Sequence, residues 1–206
     1  NAAGAQTPLG PRRPETEGLY ERSQQSKQQA QARLKAMKAR VEEQRKLNRI
    51  YGVGRAPVVV VRTLAALEEA HLSDHFMVIG THGLYAYETA AGVLVESGAM
   101  ATRDLDLLFD SRGVDRSLTA VLRKADPSFR VLRDQLHTAV NDDGFEIDVI
   151  RRMAGQSDPH PMRMSDDEDD FWAAQIDQGE KILSGRKFEH LVVATNGEMA
   201  TMRTVH

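Results

Sequence analysis

Asp104-Leu105-Asp106, with Asp148 set between Ile147 and Val149, are the residues of this chain whose types and spacing could do chemistry. Side chains of an extended strand alternate between faces, so Asp104 and Asp106 share one face, ~7 Å apart along the backbone. Two like charges that close call for a counter-ion. A pair of divalent cations ~3.5–4 Å apart answers that call, and it also activates an attacking oxygen and neutralises a leaving phosphate. Asp148, on a further strand, is the expected third carboxylate. Glu146 shares its face and is the alternative, but Asp148 lies deeper in the apolar stretch. The plain alternative for the Asp-x-Asp pair is a solvated strand face or a strand-end turn.

The residues upstream strengthen the metal reading. Val78-Ile79-Gly80-Thr81 reads as a strand running into a tight turn and then a helix, an arrangement that offers backbone N–H groups and a hydroxyl where a triphosphate could lie. In that turn His82 is expected to cap the helix or face solvent rather than bind a ligand. Tyr87 and Glu88 are expected to pack the helix, and Arg103 alternates to the face away from the carboxylates. Arg112, Arg116 and Lys124 follow the carboxylate strand and are read as surface cations, with a triphosphate or nucleic acid as the other possible contact. His160, between two prolines, is read as a loop residue.

Taken together, these segments resemble a known family. A hydrophobic residue and Gly followed by a small residue, then two acidic residues alternating with apolar ones, then a third acidic residue, is the pattern of the DNA polymerase β-like nucleotidyltransferase superfamily. More narrowly, Gly80-Thr81-His82-Gly83-Leu84-Tyr85-Ala86-Tyr87-Glu88 and Ala101-Thr102-Arg103-Asp104-Leu105-Asp106-Leu107-Leu108 resemble a bacterial group within it. The resemblance runs from about residue 56 to 200. It implies an α+β fold of the polymerase β-like kind, a small mixed sheet flanked by helices. It also implies that Asp104 and Asp106 bind two metal ions, Mg²⁺ or Mn²⁺, that Asp148 binds one of them, and that Gly80 and Thr81 contact the phosphates. Thr81 stands where the family more often has Ser or Gly. The hydroxyl remains, but the methyl takes room. In this family a further helical segment normally follows, so the domain at 56–206 is expected to be truncated at its C-terminal side.

The elements that must position these residues follow from pattern. Residues 1–18 have no period and read as a disordered leader. From Leu19 to about Leu47 there is no Pro or Gly, and Ala30, Leu34, Met37 and Val41 recur at helical steps, which predicts a long helix within an arm spanning 19–50. Such a narrow stripe packs on the body of the chain or on a second copy, giving a homodimer. Helices are expected at about Arg62–Leu72, Leu84–Ala91 and Ser117–Ala125, and strands at His75–Ile79 and Arg103–Phe109, with Gly92–Glu96 extended. Phe129–Val140 and Phe145–Ile150 should form a hairpin about the Asn141–Gly144 turn, and Phe188–Ala194 with Met199–Thr204 a last one about Asn196-Gly197. Ser165-x-x-Glu168 has capping-box spacing and predicts a helix carrying Trp172, Ile176, Gly179 and Leu183 on one face.

Composition bounds the remainder. The chain has 206 residues, no Cys and a net charge of -3, which excludes a disulfide scaffold and thiolate zinc and makes a cytoplasmic location the default. No apolar run approaches the roughly eighteen residues of a spanning helix, so no membrane partner is expected. Residues 1–50 carry 11 Lys+Arg against 5 Asp+Glu, leaving 16 against 25 for the rest of the 27 and 30. The basic arm is thus either a solvated helix or a contact for RNA or an acidic partner. The expected function is metal-dependent transfer of a nucleoside monophosphate from a nucleoside triphosphate to an acceptor hydroxyl, with RNA among the possible acceptors. The rivals are a catalytically silent interaction module of the same fold and a metal-dependent phosphohydrolase.

Overall fold

The computed structural model describes residues 11, 13–96, 100, 102–109, 114 and 116–206. By contact, the chain divides into two units, Asn1–Gln44 and Arg45–His206. Helix α1, Pro14–Ile50, begins before the expected Leu19, because Pro at the first helical position costs nothing and Glu15 and Glu17 favour the positive end of the helix dipole. Most of the expected leader lies outside the described residues. Within the first unit, α1 leaves Leu34, Met37 and Val41 exposed. Its last turns belong to the second unit, where Arg45 pairs with Glu198 at 2.9 Å and buried Asn48 donates to the Gly197 carbonyl at 3.4 Å. No helix among the described residues is long and apolar enough to cross a membrane.

The second unit is an α+β body on a mixed sheet of eight strands. Helix α2, Val58–Glu69, starts right after Pro57, earlier than expected, and buries Val60, Val61, Leu64 and Leu67 along one side. Strand β1 (Phe76–Ile79) leads through a 3-10 turn at Thr81–Gly83 into α3 (Leu84–Ala91), which Gly92 stops. Then come β2 (Asp104–Phe109), α4 (Leu118–Ala125), β3 (Arg130–Val131), β4 (Thr138–Val140) and β5 (Glu146–Arg152). The chain finishes with β6 (Ala174–Ile176), α5 (Gly179–Ser184), β7 (Lys187–Val193) and β8 (Met199–Val205). Strand order is β3-β4-β5-β2-β1-β8-β7, and β6 adds to the far end of β5. Pairing is parallel for β1 with β8, β2 with β5 and β5 with β6, and antiparallel for the others.

The two faces of the sheet are treated differently. Leu105 and Leu107 of β2 and Ile147 and Val149 of β5 point into the main core with Val60, Leu67, Leu118 and Leu122. The alternate residues make a smaller cluster of Met77, Leu108 and Ile150 under Ile182 and Leu183 of α5. That cluster lies at one end of its face; Asp104, exposed, and Asp106, partly buried, stand toward the other.

One expectation fails here, and one segment stays outside the sheet. Gly92–Glu96, read as extended, joins no strand. Buried Glu88 holds it by accepting from the Val95 N–H at 2.6 Å and from Arg55, whose guanidinium also donates to the Val95 carbonyl at 3.0 Å. The acidic run from Ser165 opens no helix: Trp172 precedes the short strand β6, and α5 starts only at Gly179. The run instead caps a helix distant in sequence. The Asp170 carboxylate accepts from the N–H groups of Leu118 and Thr119 at 3.0 and 2.9 Å and from the Thr119 hydroxyl at 2.9 Å. Ser165 donates to it as well, at 2.6 Å. These bonds satisfy donors that the first turn of α4 cannot satisfy itself.

Asp170 is 2% exposed, so Asp170→Ala strands buried donors. The expected cost is about 2–4 kcal/mol, read as a lower midpoint in chemical denaturation. Asp170→Asn, which keeps one acceptor oxygen, should lose less.

Candidate active site

Strand register gathers the acidic residues found in the sequence. Along the parallel β2–β5 ladder Asp104 lies opposite Glu146 and Asp106 opposite Asp148, so four carboxylates stand on one face in two adjacent rows. Asp104 is exposed and the other three are partly buried. Burial, then the charges of Asp104 and Asp148, push the Asp106 carboxyl up to about 6. Both neighbouring charges are negative.

Gly80 joins this group from the adjacent strand. Ile79, the last residue of β1, pairs with Asp106, and the chain then leaves the sheet with Gly80 at φ 71. Only Gly adopts that conformation freely. A Cβ at Gly80 would also stand 2.6 Å from Asp106 Oδ2, so any larger residue there would have to displace the carboxylate. Gly83 ends the turn against β8, where a Cβ would meet Thr204 Oγ1 at 2.8 Å. Thr81 sits between these glycines at the head of the 3-10 turn, partly buried. The structure thus brings together Gly80, Thr81, Asp104, Asp106 and Asp148, with Glu146 beside them.

Thr138 was not foreseen. It lies opposite Asp148 across the β4–β5 hairpin, and its hydroxyl donates to Asp148 Oδ1 at 2.5 Å. Counting back from the Asn141–Gly144 turn through the expected hairpin would have found it.

His82 departs from expectation in another way. The ring neither caps nor meets solvent: it is 1% exposed, between Tyr85 at 5.9 Å and Phe145 at 5.8 Å. No bond of good geometry reaches either ring nitrogen, but the Asp104 backbone lies within hydrogen-bonding reach of the ring. Burial holds its pKa below the ordinary histidine value, against the opposing pull of the Asp104 backbone and charge.

The other residues stay out of the group. Glu88 is the buried partner of Arg55, and the Tyr87 hydroxyl donates to the Val205 carbonyl while its ring stacks on Phe188 at 5.4 Å. Arg103 donates to the Asp143 carbonyl, Lys124 faces Glu69 at 3.8 Å, and Gln175 bonds His160 at 2.6 Å. Arg116 is exposed, and Arg112 lies outside the described residues.

The site's donor chemistry fits a hard divalent cation. It offers carboxylate oxygens alone, which suit Mg²⁺ or Mn²⁺ rather than a soft metal, and their mutual repulsion is what a cation would relieve. As they stand, no three acidic or histidine side chains among the described residues are close enough to enclose one ion.

The repulsion sets a pH dependence. Protonation of Asp106 is favoured in the folded protein relative to its ordinary value of 3.8, so this group's contribution to stability is full below that value and is lost as pH rises through about 6. Asp106→Asn should therefore melt at a higher temperature than the parent at pH 7–8 without added metal, and the difference should vanish below about pH 4. Mg²⁺ should stabilise the parent at neutral pH and the variant much less.

No curated protein and no solved structure matches the chain. A family model described as nucleotidyltransferase does match, over residues 59–206, a span that runs from α2 to the end of β8 and holds Gly80, Thr81 and all four carboxylates. The chain therefore belongs to the nucleotidyltransferase family.

Proposed function

We propose that the second unit has the polymerase β-like fold and transfers a nucleoside monophosphate from a nucleoside triphosphate to an acceptor hydroxyl. The observation that carries this reading is the close approach of Gly80 to Asp106, itself flanked by Asp148: a turn able to receive phosphates lies directly against carboxylates that repel one another. Asp104, Asp106 and Asp148 would hold Mg²⁺ or Mn²⁺. Bound there, the cations supply charge neutralisation for the triphosphate and acidify the attacking hydroxyl. The Gly80–Thr81 backbone and the Thr81 hydroxyl bind phosphate oxygens. The acceptor oxygen attacks the α-phosphorus in line, its proton passes to Asp148, and the bond to the bridging oxygen breaks to release pyrophosphate. Thr138 engages Asp148 Oδ1 and so orients the carboxylate, leaving Oδ2 for the proton.

RNA is the proposed acceptor, on the evidence of α1. From residue 22 to 41 the helix has six Lys and Arg and no Asp or Glu. With ~100° between successive residues, Arg22, Arg33 and Arg40 line one flank of the Ala30, Leu34, Met37, Val41 stripe, and Lys27 and Lys38 line the other. Two arms paired along that stripe would set cation against cation whichever way the second helix ran, which favours a polyanion over a second copy.

The test of transfer is incubation with Mg²⁺, each labelled nucleoside triphosphate and a total RNA or lysate acceptor pool. Label should move to the acceptor with the parent and not with the Asp104→Ala, Asp106→Ala double variant. Release of nucleotide without labelled acceptor would identify a phosphohydrolase, and absence of both transfer and nucleotide binding an interaction module.

The arm is tested separately by fluorescence anisotropy with labelled RNA. Replacing Arg22, Arg33 and Arg40 by Gln should weaken binding at least tenfold and flatten its salt dependence. Unchanged binding, or capture of acidic protein only, would reject RNA.

A further inference from the structure

Away from the carboxylates, the second unit holds a hollow against one side of α3. Tyr85, Glu88 and Thr89 follow one another at the three- and four-residue steps of a single helical face and line it. Val53, Val93, Leu94 and Val193 give it aliphatic walls, and the space between them is about 260 Å³. A water takes ~30 Å³ in the liquid, so the hollow has room for several waters, with little on those walls to bond them. An apolar body that displaced them would gain from their release.

The polar groups around this space are not in the same condition. Glu88, 6% exposed, accepts from Arg55 and from the Val95 N–H at 2.6 Å. The Thr89 hydroxyl donates to the Tyr85 carbonyl at 2.9 Å. Tyr85 is 8% exposed, yet among the described residues nothing accepts from its hydroxyl. Burial, then the charge of Glu88, raises this phenol above its ordinary value, against the pull of Arg55. It therefore keeps its proton and has it to donate. Buried tyrosine hydroxyls ordinarily find a partner, and one left unmet costs free energy.

Charge restricts what the partner can be. Arg55 and Glu88 already offset each other beside the hollow, so an anion entering it would face Glu88 and a cation would face Arg55, each at the cost of its own hydration. An uncharged group with a single acceptor oxygen meets the phenol without either cost.

We propose that this hollow is a second ligand site, which takes a small uncharged compound with an apolar body and a carbonyl oxygen that accepts from the Tyr85 hydroxyl. Its volume lies just under the ~300–1,000 Å³ of sites for drug-sized ligands, which limits the body to about one ring or a short branched chain. Neither Gly80, Thr81 nor any of the four carboxylates lines it, so it stands whether or not the chain transfers nucleotides.

The probe is acetophenone, one ring with one carbonyl. It is compared with ethylbenzene, which lacks the oxygen, and with benzoate and benzamidinium, which carry charge. Binding to the full chain, without metal or nucleotide, is read from the methyl resonances of Val53, Val93 and Leu94 and from the melting temperature. Acetophenone should shift those resonances saturably and raise the melting temperature. Ethylbenzene should bind several-fold more weakly, and the two ions more weakly still. Tyr85→Phe removes the oxygen alone: the free variant should melt no lower than the parent, and its affinity for acetophenone should fall about three- to tenfold, to the level of ethylbenzene. Val93→Trp, at the exposed rim, should fill the hollow and weaken both neutral probes. Absence of acetophenone binding up to its solubility limit overturns the proposal. So does equal affinity for ethylbenzene, tighter binding of either ion, or unchanged acetophenone affinity in either variant. A Tyr85→Phe protein that melts several degrees lower would show a hydroxyl already bonded within the fold, and overturns it as well.

Discussion

Parallel pairing of β2 with β5 sets Asp106 beside Asp148, two like charges at strand spacing, and the fold has to keep that pair together. The Asp148 charge adds to burial and to Asp104 in holding the Asp106 carboxyl up to about 6. Opposing the repulsion is the reverse of the same ladder, where Leu105, Leu107, Ile147 and Val149 are fully buried. At about 1.5–3 kcal/mol for each buried side chain, the apolar face outweighs the charged one. Strand alternation ties the two together: a one-residue slip would send the carboxylates into the core and the leucines into water. The register that makes the core is therefore also the register that makes the site.

A second constraint works at the end of β1. The chain must leave the sheet where Ile79 meets Asp106, turn through a left-handed residue, and pass within contact distance of the Asp106 carboxylate. Gly80 meets the conformational and the spatial demand at once. Behind it, Thr204 receives Gly83 and donates to the Val78 carbonyl at 2.7 Å, so the turn is fixed from the β8 side. The arrangement leaves the turn little freedom where charge concentrates.

Much of this could be read from residue order. Helix α3 has the expected bounds because Gly83 and Gly92 punctuate it, and both hairpins follow from apolar runs around Asn- and Gly-bearing turns. The pairing of β2 with β5 is what brings Glu146 and Asp148 to Asp104 and Asp106, and alternation gives the shared face but not the neighbouring strand. The start of α2 was obscured because Val58–Val61 are β-branched and indifferent to helix. The acidic run misled for a clearer reason: Asp170 does cap a helix, but the helix lies some fifty residues earlier, and local spacing cannot register a partner that only tertiary structure supplies. His82 was misjudged likewise, since a polar residue in a turn is ordinarily exposed and nothing local signals the slot between Tyr85 and Phe145.

That distant cap bears on how the chain assembles. Helix α4 has only eight residues, too few to persist alone in water, and Ser117 satisfies one of its leading donors from within, accepting from the Ala120 N–H at 3.2 Å. The Asp170 bonds come from a segment synthesised later. On the ribosome, α4 therefore emerges before the carboxylate that completes its cap, and gains those bonds only once residue 170 has followed.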